Sequence, residues 1–145
     1  MRVRWRERWG TLPMWARCVL VAYAAGFTDG TGAHVRDLTR GGLYAYGFAP
    51  AAVQVFFVSL VLLDPLVVVL IVRVCRGGVW LAGSVMAADI AANWLVSRES
   101  LSLLLSPVAG LLEITVFGLF VLTSMIPLQR CLAAAASADR LAARE

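Results

Sequence analysis

The chain has 145 residues, 61% hydrophobic and only 15% charged, with a mean hydropathy of +0.81 and a net charge of +4. Soluble domains carry about 45–50% apolar and about 25% charged residues, and a chain this short has too little interior to hide the excess. Its long apolar runs exclude disorder. The composition is that of an all-α integral membrane protein, read as one transmembrane domain over residues 1–145.

In chain order, four apolar stretches predict four membrane-spanning helices, at about 13–27, 51–73, 78–97 and 104–126. The first follows a basic lead and carries Arg17, whose long side chain can snorkel to the headgroups. A cleaved signal peptide is the rival reading, but the apolar run is short and the basic lead long, so the first helix is expected to be retained. An outer loop at 28–50 comes next. Its Asp29-Gly30-Thr31-Gly32 stretch reads as a turn leaving the helix, and 33–40 as a short interfacial helix before Gly41-Gly42. Arg76-Gly77-Gly78 predicts a tight hairpin that makes the second and third helices antiparallel neighbours. After Pro127 the Ala-rich segment 128–145 is expected to be a helical cytoplasmic tail.

All 13 basic residues are Arg. Arg2, Arg4, Arg6, Arg8, Arg17, Arg73, Arg76, Arg130, Arg140 and Arg144 fall on one predicted side, and only Arg36, Arg40 and Arg98 on the other. This positive-inside bias places both termini in the cytoplasm, at the plasma membrane. It accounts for the positive charge through anionic lipid headgroups, with no nucleic-acid partner. Trp5, Trp9, Trp15 and Trp80 on one side, with Tyr44, Tyr46 and Trp94 on the other, form the expected interfacial belts. Cys18, Cys75 and Cys131 match no metal spacing and read as small apolar fillers.

Three carboxylates, Asp64, Asp89 and Glu113, fall within about 5 Å of the predicted midplane. A central Asp costs about 2.5–3.5 kcal/mol on insertion, while each Leu, Ile, Val or Phe returns about 0.3–0.6. The second helix has 16 such residues and tolerates Asp64; the third has six and is marginal alone. It is expected to be enclosed, with small-residue stripes Gly83-Ala87-Ala91 and Ser84-Ala88-Ala92 for close helix approach. Asp64 precedes Pro65, which removes a backbone hydrogen bond beside the acid. The expectation is a mid-depth polar pocket lined by Asp64, Asp89, Asn93 and Glu113, with Phe117 and Trp94 as further ligand contacts. No basic side chain is expected at that depth. His34 and Asp37, three apart, sit at its mouth as an acid–base pair. A single His provides poorly for zinc, no nucleotide motif is present, and no cofactor is expected.

From the second helix onward the chain resembles the EXPERA membrane fold of the emopamil-binding protein and sigma-2 receptor family. The resemblance rests on Asp64-Pro65-Leu66, the short Arg-bearing turn at 72–78, Ala88-Asp89-Ile90 and the polar position Glu113, and spans half to two-thirds of the chain. It implies a membrane-embedded pocket for sterol-like or cationic amphiphilic molecules, and in some members double-bond isomerisation by proton transfer. The family's His and Glu on an early helix have no match here, since His34 and Asp37 fall in the predicted outer loop.

The leading functional expectation is therefore an intramembrane acidic site for an apolar or cationic lipid-like molecule, with Asp89 and Glu113 as candidate catalytic groups and Asp64 tuning them. Two alternatives come from other classes. One is an accessory subunit whose acids pair with a basic residue of a partner membrane protein; the other is a proton or cation relay in a homo-oligomer.

Overall fold

The computed structural model describes residues 5–100 and 107–142. The predicted start of the fourth span at Leu104, with Arg2, Arg4 and Arg144, lies outside the described residues. Five α-helices follow in order: α1 (Trp5–Thr11), α2 (Met14–Gly41), α3 (Ala51–Val72), α4 (Arg76–Ser100) and α5 (Pro107–Ala142), with a 3-10 turn at Gly42–Tyr44. Among the described residues there is no strand. Three helices are long and apolar enough to cross a membrane: Ala51–Val72, Arg76–Arg98 and Gly110–Ala138.

The predicted outer loop is half wrong. Residues 28–41 continue α2 without a break, making it 28 residues long, and the separate short helix at 33–40 is simply its last turns. Asp29-Gly30-Thr31-Gly32 is helix, not turn, because its glycine serves close approach. A Cβ on Gly30 would stand 2.9 Å from Asp64 Oδ2, and one on Gly26, four residues earlier, would strike the Phe117 ring. Each glycine costs about 1 kcal/mol of helix propensity, and the two neighbouring helices that pack into these notches outweigh it. α2 ends at Gly42, whose φ of 59° only glycine adopts freely and whose N–H caps the Leu38 carbonyl.

α3 and α4 match their expected spans closely, as an antiparallel pair joined by Arg73-Val74-Cys75. The reversal is made by Val74, at φ 54°, while Cys75 N–H bonds back to Leu70 O at 2.9 Å. The two glycines expected to form the turn lie instead in the first turn of α4. Gly78 packs against Leu70, where a Cβ would come within 2.6 Å. α4 is less enclosed than expected: Ala82, Gly83 and Ala92 are buried, but Ser84, Ala87, Ala88 and Ala91 face outward.

α5 also departs from expectation. It runs through Pro127 as one 36-residue helix, so no separate tail follows the span. Two residues past the proline, the buried Gln129 amide donates to Arg76 O at 2.6 Å and accepts from Arg76 Nε at 3.2 Å, fastening this part of α5 to the start of α4. Arg17 does not snorkel outward but caps α1, donating to Leu12 O at 2.8 Å and Gly10 O at 2.6 Å.

Successive long helices pack side by side, and α2 closes against α5. Tyr23, fully buried, makes that closure by donating to Val121 O at 2.7 Å, with Ser124 Oγ 2.9 Å away. Phe27 meets Phe117 edge-on at 5.8 Å beside it. Outward, Val55, Leu62, Leu112, Val116 and Leu119 are all more than half exposed. Only 28%, 33% and 17% of an 18-residue apolar stretch in each of the three spans is buried, so most of their apolar surface lies outside the chain's own core.

Candidate functional site

The polar side chains of the interior gather between α2, the 3-10 link and α3. Gly30 brings α2 against α3 at the level of Asp64. One turn on, His34 leans back along α2 as helical side chains do, and Asp64 leans toward it along α3. Imidazole Nε2 and carboxylate Oδ2 stand 4.0 Å apart, with side chains 17% and 6% exposed. A basic side chain thus shares the depth of the acid, contrary to expectation. It was hidden because the helix was expected to end before it.

The other ring nitrogen is engaged as well. His34 Nδ1 lies 2.8 Å from Tyr46 Oη, and that hydroxyl donates to Asp37 Oδ2 at 3.3 Å. A phenol has one hydrogen, so with it given to Asp37 the short bond is donated by Nδ1–H of the imidazole. In that tautomer Nε2 is the ring nitrogen without a hydrogen, and it faces Asp64. The four groups form a chain, Asp37–Tyr46–His34–Asp64, leading from the loop end to the interior of α3. Tyr46 lies outside the spanning helices; burial first, then the Asp37 carboxylate, push its phenol well above the ordinary 10.0, so it stays a donor. Past Asp64 toward the other end, the buried neighbours Val67, Ile71, Leu20 and Val79 are apolar. Among the described residues no titratable side chain on that side is hydrogen-bonded or ion-paired to Asp64, so the linked chain ends there.

Asp89 belongs to this cluster at one remove. Its carboxylate lies within electrostatic reach of both Asp64 and Tyr46, and Asn93 Nδ2 donates to it at 3.0 Å. With Gly78 against Leu70, Asp89 stands level with Leu60, about one turn on the loop side of Asp64.

Glu113 does not join them. Met125 packs on Gly83, Ile90 on Gly118, and Trp94 Nε1 donates to Thr115 Oγ1 at 3.1 Å. That antiparallel register sets Asp89 level with Leu119 and Glu113 about 9 Å further toward the loop end, where it is exposed. The misplacement follows from Pro127: once α5 continues past it, the centre of the apolar run shifts and Glu113 moves to the edge. Trp94 and Phe117 likewise serve packing, Trp94 as a tie from α4 to α5 and Phe117 as the ring filling the Gly26 notch. His34 and Asp37, expected at a mouth, lie within the cluster. Tyr46, expected only in an aromatic belt, is the link between them.

Two cavities lie away from this cluster. One, of about 900 Å³, is an open groove along the outward face of α2 that includes Ala25, Asp29, Gly32 and Arg36; the other, of about 320 Å³, is at the basic end. Among the described residues no three His, Cys, Asp or Glu side chains converge as metal ligands would. The chain matches no protein-family model, no curated protein and no solved structure.

Proposed function

We propose that this is a four-span protein of the cytoplasmic membrane, both termini inside, whose α2–α3 cluster is an acid–base centre for an apolar or cationic lipid-like molecule. The observation that carries the reading is the His34–Asp64 pair, 4.0 Å apart in the interior and backed by Tyr46 and Asp37. Facing groups that share a titrating proton are suited to general acid–base work. Asp89, within reach and held by Asn93, would stabilise positive charge on a bound amine or carbocation-like species. Because the titratable chain ends at Asp64, it supports proton delivery to an internal site over passage across the membrane. Ionisable residues inside a membrane span are candidate functional groups by default.

The test is binding of N,N-dimethyldodecylamine to the purified protein in non-ionic detergent micelles, with mass spectrometry of any co-purified apolar molecule. Wild type should retain the amine, Asp64→Asn and Asp89→Asn should lose it at least about ten-fold, and Glu113→Gln should match wild type. Equal retention by all four proteins would end this reading.

One observation favours a second reading, an accessory subunit. Asp29 is exposed in the α2 groove and has no ion-pair or hydrogen-bond partner among the described residues. A basic residue in a partner's span would neutralise it. A monomeric mass in mild detergent, unchanged by Asp29→Asn, would sink that alternative.

A further inference from the structure

We infer that the cavity at the basic end, between α1, the α3–α4 turn and α5, is a binding site for a phosphate group, supplied by the headgroup of an anionic lipid. The site is separate from the His34 cluster, at the opposite end of the helices, and does not depend on what that cluster does.

The cavity holds about 320 Å³, room for a phosphodiester, and its polar lining is Arg8, Thr11, Cys75 and Arg76 over an apolar floor that includes Leu12 and Leu132. Among the described residues that line it there is no carboxylate. Arg76 spends Nε on Gln129, and its two Nη groups have no partner among the described residues; the Arg8 guanidinium has none either. Two guanidiniums facing one small space without an acid repel each other until an anion arrives, and planar guanidinium forks match phosphate oxygens. α4 begins at this cavity, with open space over Gly77, so its positive N-terminal end adds to the attraction.

The walls are held in place before any ligand binds. Trp9 Nε1 donates to Val72 O at 2.8 Å, fixing α1 to the end of α3, and Arg17 ties down the last carbonyls of α1. The ordering cost of binding is therefore small. Basic pockets between spanning helices on the cytoplasmic side are suited to anionic headgroups.

The experiment measures the thermal midpoint of the full chain in non-ionic detergent against dihexanoylphosphatidylglycerol, dihexanoylphosphatidylcholine and inorganic phosphate. The glycerol lipid should raise the midpoint saturably, and the choline lipid, whose cation finds no acid among the described lining residues, should do so several-fold less well. Arg8→Gln should weaken the effect about five-fold or more, while Arg130→Gln, an exposed arginine outside the cavity, should leave it unchanged. Ala135→Leu, which fills the cavity without touching charge, should reproduce the loss. A shift with the glycerol lipid but not with inorganic phosphate assigns the site to a headgroup; equal shifts with both assign it to free phosphate. No saturable shift with either, or equal weakening by Arg8→Gln and Arg130→Gln, overturns the proposal.

Discussion

Asp64 on α3 and His34 on α2 face each other at 4.0 Å, and Gly30, one turn before the histidine, leaves the room that the Asp64 carboxylate occupies: a Cβ there would stand 2.9 Å from Oδ2. The distance exceeds that of a direct hydrogen bond. It depends on where the Asp64 carboxylate lies, which a single methyl group on Gly30 would disturb.

Gly30→Val should therefore destabilise the protein by about 1–3 kcal/mol, the usual cost of overpacking, and push Asp64 away from the imidazole. SDS-driven unfolding measures the first effect. Because His34 is the single histidine of the chain, ¹⁵N-histidine NMR reports the second as a change in one pair of ring resonances. Wild-type resonances in a Gly30→Val protein would contradict the geometry.

Tyr46 sets a pH dependence. Burial, followed by the Asp37 carboxylate, raises its folded-state value above the unfolded 10.0. A raised value means that the stabilisation is fully present below about pH 10 and is lost as the pH climbs toward the folded value. Tyr46→Phe should thus narrow the stability difference from wild type at high alkalinity. Absorbance near 295 nm checks the cause: at about pH 10.5 the tyrosinate signal of wild type and Tyr46→Phe should coincide, since Tyr46 has not yet ionised.

Tyr23→Phe removes the two polar contacts that close α2 on α5 while keeping the ring. With Val121 O and Ser124 Oγ both losing a partner, the expected cost is about 0.5–2 kcal/mol, the range for interhelical hydrogen bonds in membrane proteins. Ser124→Ala should cost less, because it leaves the Val121 bond intact. Unfolding curves of the two variants give the ranking directly.

Gln129→Leu should cost about 1–3 kcal/mol despite its apolar gain, because Arg76 O and Nε both lose their partner. Proteolysis at the α3–α4 turn should accelerate in this variant and not in Cys131→Ala on the same helix.

What the residues revealed in advance depended on how uniform each helix is. α3 and α4 were legible to within three residues at every boundary, because apolar length and the Arg-flanked turn leave little choice. Asp64 and Asp89 stood out for the same reason: an acid in an apolar run has no ordinary explanation. The outer half of α2 was hidden, since charged residues beside Gly30 and Gly32 look like a loop when the helices that fill those notches are unknown. Pro127 misled in a similar way. A proline in a helix removes one bond, and the Gln129–Arg76 contact that holds the helix just beyond it joins positions 53 apart. With that helix ended too early, Glu113 was placed at mid-depth and the true neighbour of Asp64, a histidine from a supposed loop, was missed.

The uninterrupted course of α5 has a mechanical consequence. At 1.5 Å per residue its 36 residues extend about 54 Å, against a hydrocarbon layer of about 30 Å. Past the clasp at Gln129 the same helix runs on, and Leu132, Ala135 and Ala136 on its next turns wall the basic-end cavity opposite α1. One unbroken lever thus joins the lipid-facing stretch of α5 to the α1 contact, so a tilt of the first is carried directly to the second.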